Sequence, residues 1–268
     1  MKLAFSNIAW SADEDPPVLD VLRAHQIQGV EVAPTRLWPD WAGATPAAAA
    51  TYAQTMREAG FATPSLQSLL FGRADLQVFG SATQQADLIT HLAQVAELAA
   101  AMQARVLVFG SPKNRDRGDL TDAQAMQHAV PFFRQAAQVC ADAGVTLALE
   151  ANPTYYHCNF VTRWQEAEEL VRSCKHPGLG LHLDTACTVL AGDDPVAAVA
   201  QVADILVHVH LSEPDLGPFT SPRTDHLAVG DALRAVGYSG WCSVEMRRTS
   251  TPLASIEEAA QLAARCYG

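Results

Sequence analysis

The chain has 268 residues, of which 49% are hydrophobic and 18% are charged, and its formal net charge is −11. This length and apolar content are sufficient for one large hydrophobic core. An acidic chain lacks the broad basic surface that binds nucleic acid or an anionic membrane, so we predict neither partner.

The six cysteines form no CxxC pair and no regular framework, which favours reduced thiols and a cytoplasmic location. The amino terminus, MKLAFSNIAW, does not have the pattern of a secretory signal. No apolar run is long enough to span a bilayer.

Strand-like apolar runs and helix-like segments alternate along the chain, without a linker, a charge block or a change of composition. Alternation of this kind with β-branched strands favours a parallel sheet, and eight pairs in this length favour a closed barrel over an open doubly wound sheet. We therefore predict an α/β fold in which residues 1–268 form a single (β/α)8 barrel domain. The predicted strand–helix pairs are Leu3–Ile8 with Pro17–His25, Gly29–Val32 with Pro46–Ala59, Thr63–Ser68 with Ser81–Met102, Arg105–Phe109 with Thr121–Ala143, Val145–Glu150 with Arg163–Cys174, Leu179–Asp184 with Pro195–Ala203, Ile205–Leu211 with Asp225–Val236, and Trp241–Met246 with Ser255–Cys266.

The fifth to eighth predicted strands each carry a metal-binding type of residue near the carboxyl end. VTLALE ends at Glu150, LGLHLD ends at Asp184, ILVHVHLSE contains two histidines, and WCSVEM contains Glu245. Charged groups at the ends of buried strands are costly unless something compensates them, so these strands suggest a shared cation at one mouth of the barrel. Three carboxylates and one imidazole suit Mn²⁺ best, with Mg²⁺ or Co²⁺ as alternatives, whereas zinc sites usually have more His or Cys.

At these residues the chain resembles the xylose-isomerase-like barrels of the sugar-phosphate isomerase/epimerase superfamily. The resemblance covers nearly the whole chain and implies that Glu150, Asp184, His210 and Glu245 bind the metal. It also implies that Glu150 and Glu245 transfer protons. The stretches that carry the resemblance are LALEANP (Leu147–Pro153), LHLDT (Leu181–Thr185), HVHLSE (His208–Glu213), YSGWCSVEM (Tyr238–Met246) and VFGSPKNR (Val108–Arg115).

Two positions depart from the family pattern. Members that epimerise free ketoses usually carry a His three residues after the aspartate of strand six, where this chain has Cys187. They commonly carry a second Glu six residues after the glutamate of strand five, where this chain has Tyr156. Both positions contact substrate in those members, so the resemblance implies the metal site more firmly than the substrate.

The implied chemistry starts with removal of a proton next to a carbonyl group. A cation that bridges the carbonyl and a neighbouring hydroxyl stabilises the resulting enediolate. Two carboxylates on opposite faces of the substrate can invert a centre, because one removes the proton and the other returns it. Glu150 and Glu245 come from separated strands, which favours an epimerase over a one-faced isomerase. The predicted partner is a ketose, a sugar phosphate or a sugar acid.

Further residues are predicted around this centre. His182 and His208 share the inward faces of their strands with Asp184 and His210, where they either orient the metal ligands or form hydrogen bonds in the core. Aromatic residues after strands two and three, Trp38, Trp41, Phe71 and Phe79, suggest a hydrophobic lid or a contact in a homo-oligomer. The predicted substrate contacts are Asn7, Trp10, Glu31, Gln67, Lys113, Arg115, Tyr156, Cys187, Glu213 and His226.

Cations are frequent in the segments that follow the predicted strands. Nine of the 18 Lys and Arg residues lie there, where they either bind a phosphate or carboxylate of the substrate or pair with acidic residues of the same loops. They are Arg36, Arg73, Lys113, Arg115, Arg117, Arg163, Arg223, Arg247 and Arg248.

Three other functions fit the same residues less well. A dehydratase would use the same metal site but expel a β-hydroxyl group instead of returning the proton. A nuclease similar to endonuclease IV needs more metal ligands and a basic face, which the net charge of −11 disfavours. A barrel that only binds a sugar would not require four ligand positions.

Overall fold

Eight parallel strands form the centre of the structure, a computed structural model that describes residues 1–268. Their order in the sheet is β2-β1-β8-β7-β6-β5-β4-β3, so each strand lies beside its neighbour in sequence except where β1 meets β8. The predicted (β/α)8 barrel is confirmed. The strands are β1 Lys2–Ser6, β2 Gly29–Glu31, β3 Ser65–Leu66, β4 Val106–Phe109, β5 Thr146–Glu150, β6 Leu179–Asp184, β7 Leu206–Ser212 and β8 Trp241–Glu245.

The barrel is least regular between β2 and β3. Two isolated parallel bridges join this pair, Gly29 with Ala62 and Val32 with Leu66. Pro64 directly precedes β3 and has no N–H to donate, which is a reason for this strand to be only two residues long. The barrel is therefore closed by a few hydrogen bonds at this seam, such as Val32 N–H to the carbonyl of Ser65 at 3.1 Å.

Ten helices accompany the strands. The eight predicted helices are all present, and their ends lie within about three residues of the prediction. Two short helices, α2 and α7, were not predicted because four and six residues are too few to show a helical period. The helices are α1 Asp15–Ala24, α2 Pro34–Leu37, α3 Pro46–Glu58, α4 Ala82–Met102, α5 Asp122–Asp142, α6 Trp164–Cys174, α7 Thr185–Leu190, α8 Pro195–Val202, α9 His226–Ala235 and α10 Pro252–Tyr267.

The two longest helices start at side-chain caps that the sequence encodes. Ser81 before α4 and Thr121 before α5 each accept a hydrogen bond from the backbone of a glutamine three residues later, and that glutamine bonds back to the cap. The apolar faces of the helices pack on the outside of the barrel in a core cluster of 67 buried residues. None of the helices has both the length and the apolar character needed to cross a membrane.

An irregularity between β6 and β7 aligns residues at the centre of the barrel. The register shifts between Leu181 and His182, so that His182 lies opposite His208 and Asp184 lies opposite His210. A Cβ atom at Gly180 would lie 2.5 Å from a methyl group of Val207. The absence of a side chain at Gly180 therefore lets β6 and β7 approach each other closely beside the register shift. The shift thus brings three histidines and one aspartate into two adjacent layers.

Candidate active site

A cavity of about 800 Å³ opens at the carboxyl ends of the strands. In parallel barrels the loops at this end build the active site, and a cavity of this size can hold a small ligand. Eight of the predicted site residues line it, namely Gln67, Lys113, Glu150, Tyr156, Asp184, Cys187, His210 and Glu245. The four predicted metal ligands therefore share one cavity.

Asp184 is held in place by the element that follows it. Its Oδ1 accepts a 2.6 Å hydrogen bond from the backbone N–H of Cys187 and thereby caps α7. Its Oδ2 accepts a 2.7 Å bond from the hydroxyl of Ser212, at the end of β7. Burial, followed by the charge of Glu245, raises the pKa of Asp184 above its ordinary value.

Glu150 lies at the end of β5 in a tight space. A Cβ atom at Gly110 would come within 2.2 Å of its Oε2, so the carboxylate needs a glycine directly after β4. The thiol of Cys187 lies 3.8 Å from its Oε1. Burial, followed by the negative charges of Asp184 and Glu245, raises the pKa of Glu150 to about 8.

His210 lies between two acidic groups. Its Nε2 is 2.9 Å from Oε2 of Glu31, and its Nδ1 is 3.2 Å from Oε2 of Glu245 and 3.9 Å from Oδ2 of Asp184. Burial opposes protonation, but the charges of Glu31 and Glu245 outweigh it and raise the pKa of His210 well above its ordinary value. The Nδ1 atom has no hydrogen-bond partner despite these close oxygens.

These residues fit a divalent cation. Atoms of Glu150, His182, Asp184 and His210 that could bind a metal lie within 4.8 Å of one another, and all four residues are buried. Three buried carboxylates repel one another, as the raised pKa values of Glu150 and Asp184 indicate. A cation relieves that repulsion, and the unpartnered Nδ1 of His210 faces the same group of oxygens.

Glu31 organises the layer beneath this group. It is fully buried and bonds to both His208 and His210 at 2.9 Å, while Ser65 and Ser243 donate to its two oxygens. Burial disfavours its charge, but His210 and His208 outweigh that effect and hold its pKa well below the ordinary value. Glu31 therefore lies under the candidate metal ligands and not on the cavity wall where we predicted it.

His182 and His208 are buried inside the barrel, on the same strands as Asp184 and His210, but differ in their contacts. His208 bonds to Glu31, whereas neither ring nitrogen of His182 has a partner. Burial, followed by the proximity of His210 and His208, holds the pKa of His182 well below its ordinary value, so its imidazole is neutral.

Six predicted substrate contacts do not line the cavity. One is Glu31, as described above. Asn7 accepts a 2.8 Å bond from the backbone N–H of Ala33 through its side chain, and the indole of Trp10 donates to Asp15 at 2.6 Å. Both side chains are thus used to hold the loops after β1 and β2.

The other three are used inside the structure. Arg115 is fully buried and donates to the carbonyl oxygen of Glu150 and to Oδ1 of Asn152, both at 2.7 Å. Glu213 and His226 bond to each other at 2.9 Å, and His226 also contacts the hydroxyl of Tyr267 at 2.7 Å. These groups support the loops around the cavity and do not face it.

Several cavity residues were not predicted. Asn152 lies two residues after Glu150 in the stretch LEANP, so its position just after a strand end is the sequence signal that indicates it. Asp215 also lines the cavity and was not predicted, whereas Arg247, which lines it too, is one of the nine cations named from the sequence. Asp215 donates its backbone N–H to the hydroxyl of Tyr156 at 2.9 Å, which joins the loops after β5 and β7, and no local sequence pattern announces such a contact.

Most of the nine Lys and Arg residues that follow the strands already form hydrogen bonds or ion pairs within the protein. Arg36 donates to the carbonyl oxygens of Asn7 and Trp10, and Arg115 is buried as described. Lys113, Arg223 and Arg247 form no salt bridge, and of these Lys113 and Arg247 line the cavity. The ion pairs are Arg73–Asp75, Arg117–Asp122, Arg163–Asp193 and Arg248–Glu14.

The aromatic residues predicted as a lid make different ring contacts, and the indole of Trp41 donates to the carbonyl oxygen of Phe71 at 3.1 Å. Trp41 packs edge-on against His91, and Phe79 packs edge-on against Phe160. Phe71 lines the cavity and is 69% exposed, so it is the member of this set at the mouth of the site.

Comparisons with known proteins agree with the barrel fold. A family model described as xylose isomerase-like TIM barrel matches residues 19–266. The ketose 3-epimerase of Arthrobacter globiformis is 26% identical over 106 residues, which are 40% of this chain and 36% of that relative. The match thus spans little more than a third of the relative's length.

Solved structures share the fold over nearly the whole chain. A D-psicose 3-epimerase crystallised in the presence of D-fructose superposes with a TM-score of 0.82 at 17% identity and covers 100% of both chains. A probable 3-DHS dehydratase from Bacillus anthracis has a TM-score of 0.74 at 14% identity, with 97% of each chain covered. At these identities the likeness establishes the barrel fold.

Proposed function

The chain belongs to the xylose isomerase-like TIM barrel family, and we propose that it is a divalent-metal-dependent sugar epimerase or isomerase. The observation that carries the proposal is a pair of buried glutamates, Glu150 on β5 and Glu245 on β8, in one cavity with Asp184 and His210 between them in strand order. Two carboxylates on separated strands can reach a bound sugar from two sides.

The cation is proposed to be held by Glu150, Asp184, His210 and Glu245, with Mn²⁺ as the expected ion and Mg²⁺ or Co²⁺ as alternatives. When bound, such an ion acts as a Lewis acid on a carbonyl oxygen and a neighbouring hydroxyl oxygen of the substrate. The short contact between Glu31 and His210 supports this assignment, because it occupies Nε2 and leaves Nδ1 directed at the carboxylates.

The glutamates are proposed to carry the protons. One carboxylate removes the proton from the carbon next to the carbonyl, which converts the sugar to an enediolate, and the other returns a proton to the opposite face. The placement of both carboxylates in one cavity, on separated strands β5 and β8, supports this role, since an acid or base must be within reach of the proton that it transfers. If only one face is used, the same groups perform an isomerisation.

The proposed substrate is a monosaccharide or a sugar derivative. A cavity of about 800 Å³ with polar groups from several loops is large enough for a molecule of this kind. The partial match to a ketose 3-epimerase supports a ketose. Lys113 and Arg247, which line the cavity without salt bridges, support a phosphorylated or acidic sugar as a second group to screen.

The test is a screen of ketoses, sugar phosphates and sugar acids with the metal-free protein and with added Mn²⁺, Mg²⁺ or Co²⁺. We expect turnover only with metal, loss of turnover on chelation, and uptake of solvent deuterium at one carbon of an isomeric product. Full activity after complete chelation would contradict the metal requirement. An isomeric product without solvent deuterium would contradict the proton-transfer mechanism.

A dehydratase is the second candidate, because the same carboxylates can remove the proton and the fold is shared with a probable 3-DHS dehydratase. In that reaction the enolate expels a β-hydroxyl group, so the product has lost one water. Mass analysis of the product separates the two reactions.

The reducing environment of the cytoplasm is the proposed location. All six cysteines are free thiols in buried positions, which supports the proposal made from their spacing.

A further inference from the structure

His182 is unusual among the buried polar groups of the barrel. It is 2% exposed, yet neither of its ring nitrogens has a hydrogen-bond partner. His208 and His210, which lie on the adjacent strand, each keep one nitrogen bonded to Glu31. Buried polar groups nearly always have a hydrogen-bond partner, so a buried histidine whose two nitrogens have none suggests that a ligand binds to it.

The position of His182 points to the same centre as the candidate metal ligands. One of its nitrogens, one carboxylate oxygen each from Glu150 and Asp184, and one nitrogen of His210 lie within 4.8 Å of one another. Ligand atoms on opposite sides of a cation are about 4.2 Å apart when each bond is about 2.1 Å long. The four atoms are therefore close to the spacing that one cation requires, and a small contraction would bring them to it.

The strand register explains why His182 can reach this centre. It is paired with Glu150 across β5 and β6, and it lies opposite His208 because of the register shift between β6 and β7. The imidazole rings of His182 and His210 are 4.2 Å apart, measured between centroids, and nearly perpendicular. His182 thus lies beside the candidate ligands and not only beneath them.

We infer that His182 is a further ligand of the divalent cation in the proposed function, together with Glu150, Asp184 and His210. This inference rests on the proposed metal site and adds a second imidazole to it. Imidazole ligands favour later first-row metals such as Zn²⁺, whereas carboxylates favour Mg²⁺ and Mn²⁺. With His182 as a ligand, the site therefore has a higher ratio of Zn²⁺ to Mn²⁺ affinity than a site of three carboxylates and one histidine would have.

Glu245 lies at the edge of this four-atom group. Its contact in the cluster is the 3.2 Å approach of its Oε2 to Nδ1 of His210. With His182 as a ligand, four groups hold the cation without Glu245, and the carboxylate of Glu245 is available to hold or move a proton.

The experiment compares the wild-type protein with His182→Leu and His182→Gln. The affinities of the metal-free proteins for Zn²⁺ and Mn²⁺ are measured by competition with a chelating dye, and the absorption spectrum of bound Co²⁺ reports the ligand set. We expect His182→Leu to lower the Zn²⁺ affinity by about 10-fold or more and the Mn²⁺ affinity by less. His182→Gln, which offers a carbonyl oxygen, should also lower the ratio of Zn²⁺ to Mn²⁺ affinity.

Thermal unfolding of the metal-free proteins gives a second readout. Because His182 makes no hydrogen bond, replacing it with leucine removes an unsatisfied buried group, and the Tm should rise by about 2–4 °C. His91→Leu is the matched control. His91 is a buried histidine outside the cavity, and its Nε2 contacts the carbonyl oxygen of Leu69 at 2.8 Å, so we expect a lower Tm and an unchanged ratio of Zn²⁺ to Mn²⁺ affinity.

The outcomes separate this inference from the proposed function. If the wild-type protein binds neither metal, the metal dependence of the proposed function is wrong. If the wild-type protein binds metal and both His182 variants keep its ratio of affinities and its Co²⁺ spectrum, the inference about His182 alone is wrong.

Discussion

Glu150 and Glu245 face the same cavity from different surroundings. Glu150 lies against the backbone at Gly110 and near the thiol of Cys187, whereas Glu245 lies against the imidazole of His210. Two carboxylates in unlike environments are suited to different steps of proton transfer. This difference leads to a prediction about each of them.

We predict that Glu150→Gln and Glu245→Gln each reduce kcat by about 10²–10⁴-fold while changing substrate binding much less. Glutamine keeps the shape of the side chain and an oxygen that can contact a cation, but it cannot accept the proton. With one epimer as substrate, the variant that lacks the base for that face should not exchange the reacting proton with solvent. The other variant should exchange it slowly without inversion, and the opposite epimer should reverse these roles.

Exchange measured by NMR in deuterated water gives the result for each epimer. A one-faced isomerase would instead need the same glutamate for exchange with every substrate. Exchange and inversion at normal rates in both variants would show that other groups carry the protons.

At the scale of elements, the pairing of β6 with β7 decides which side chains meet in the barrel. The register shift places His182 opposite His208 and Asp184 opposite His210. Gly180 permits it, because Val207 occupies the space where a Cβ atom would lie. Such irregularities are frequent next to active sites, where they redirect side chains.

We predict that Gly180→Ala lowers the free energy of unfolding by about 1–3 kcal/mol, because the added methyl group would lie 2.5 Å from a methyl group of Val207. Val207→Ala removes the group that it would meet. The double variant should therefore lose less stability than the sum of the two single variants, which denaturant unfolding measures. Additive losses would contradict the proposed steric conflict.

At the scale of the whole molecule, the candidate ligands tie together the half of the barrel formed by β5 to β8. Three of the four residues are acidic, and the raised pKa values of Glu150 and Asp184 show that their charges disfavour the folded state when no cation is present. Metal binding should therefore stabilise the entire fold. Stability and the integrity of the site are linked in this arrangement.

We predict that a divalent cation at about 100 times its Kd raises the Tm by about 5–10 °C, as expected for roughly 2.7 kcal/mol of binding to the native state alone. Asp184→Asn removes one charge from the cluster, so the metal-free variant should have a Tm equal to or above that of the wild type and respond weakly to metal. Scanning calorimetry with and without the cation measures both effects.

Asp204→Asn is the control for this prediction. Asp204 pairs with Arg172 outside the cavity, so the response of that variant to metal should equal the wild-type response. A full metal response in Asp184→Asn would show that the cation binds elsewhere.

Much of the fold and part of the candidate site could be predicted from local patterns. The strands are short apolar runs that alternate with helical periods, so both their existence and their parallel arrangement follow from patterns a few residues long. The clustering of Glu150, Asp184, His210 and Glu245 followed from one rule, because in a barrel the carboxyl ends of all strands meet at one mouth. Their proposed roles as ligands and proton carriers remain predictions.

Contacts between distant parts of the chain could not be predicted in this way. Arg115 has a charged side chain in a loop, which is typical of a substrate contact, but it is buried against the backbone of Glu150, 35 positions later. His226 was also predicted to contact substrate, but its side chain contacts Tyr267, which is 41 positions away. A side chain's own sequence neighbourhood does not contain the information about which distant group it will meet.

The sequence by itself determined the barrel, its order of strands and helices, and the mouth at which acidic side chains gather, because period and strand-end position are local properties. Only the tertiary structure decided that Glu31 lies beneath the candidate metal ligands and that His182 lies among them without a partner. The first depends on side-chain contacts between β2 and β7 across the inside of the barrel, and the second depends on the register shift between β6 and β7. Both are set by the packing of side chains from separate strands and leave no pattern in either strand alone.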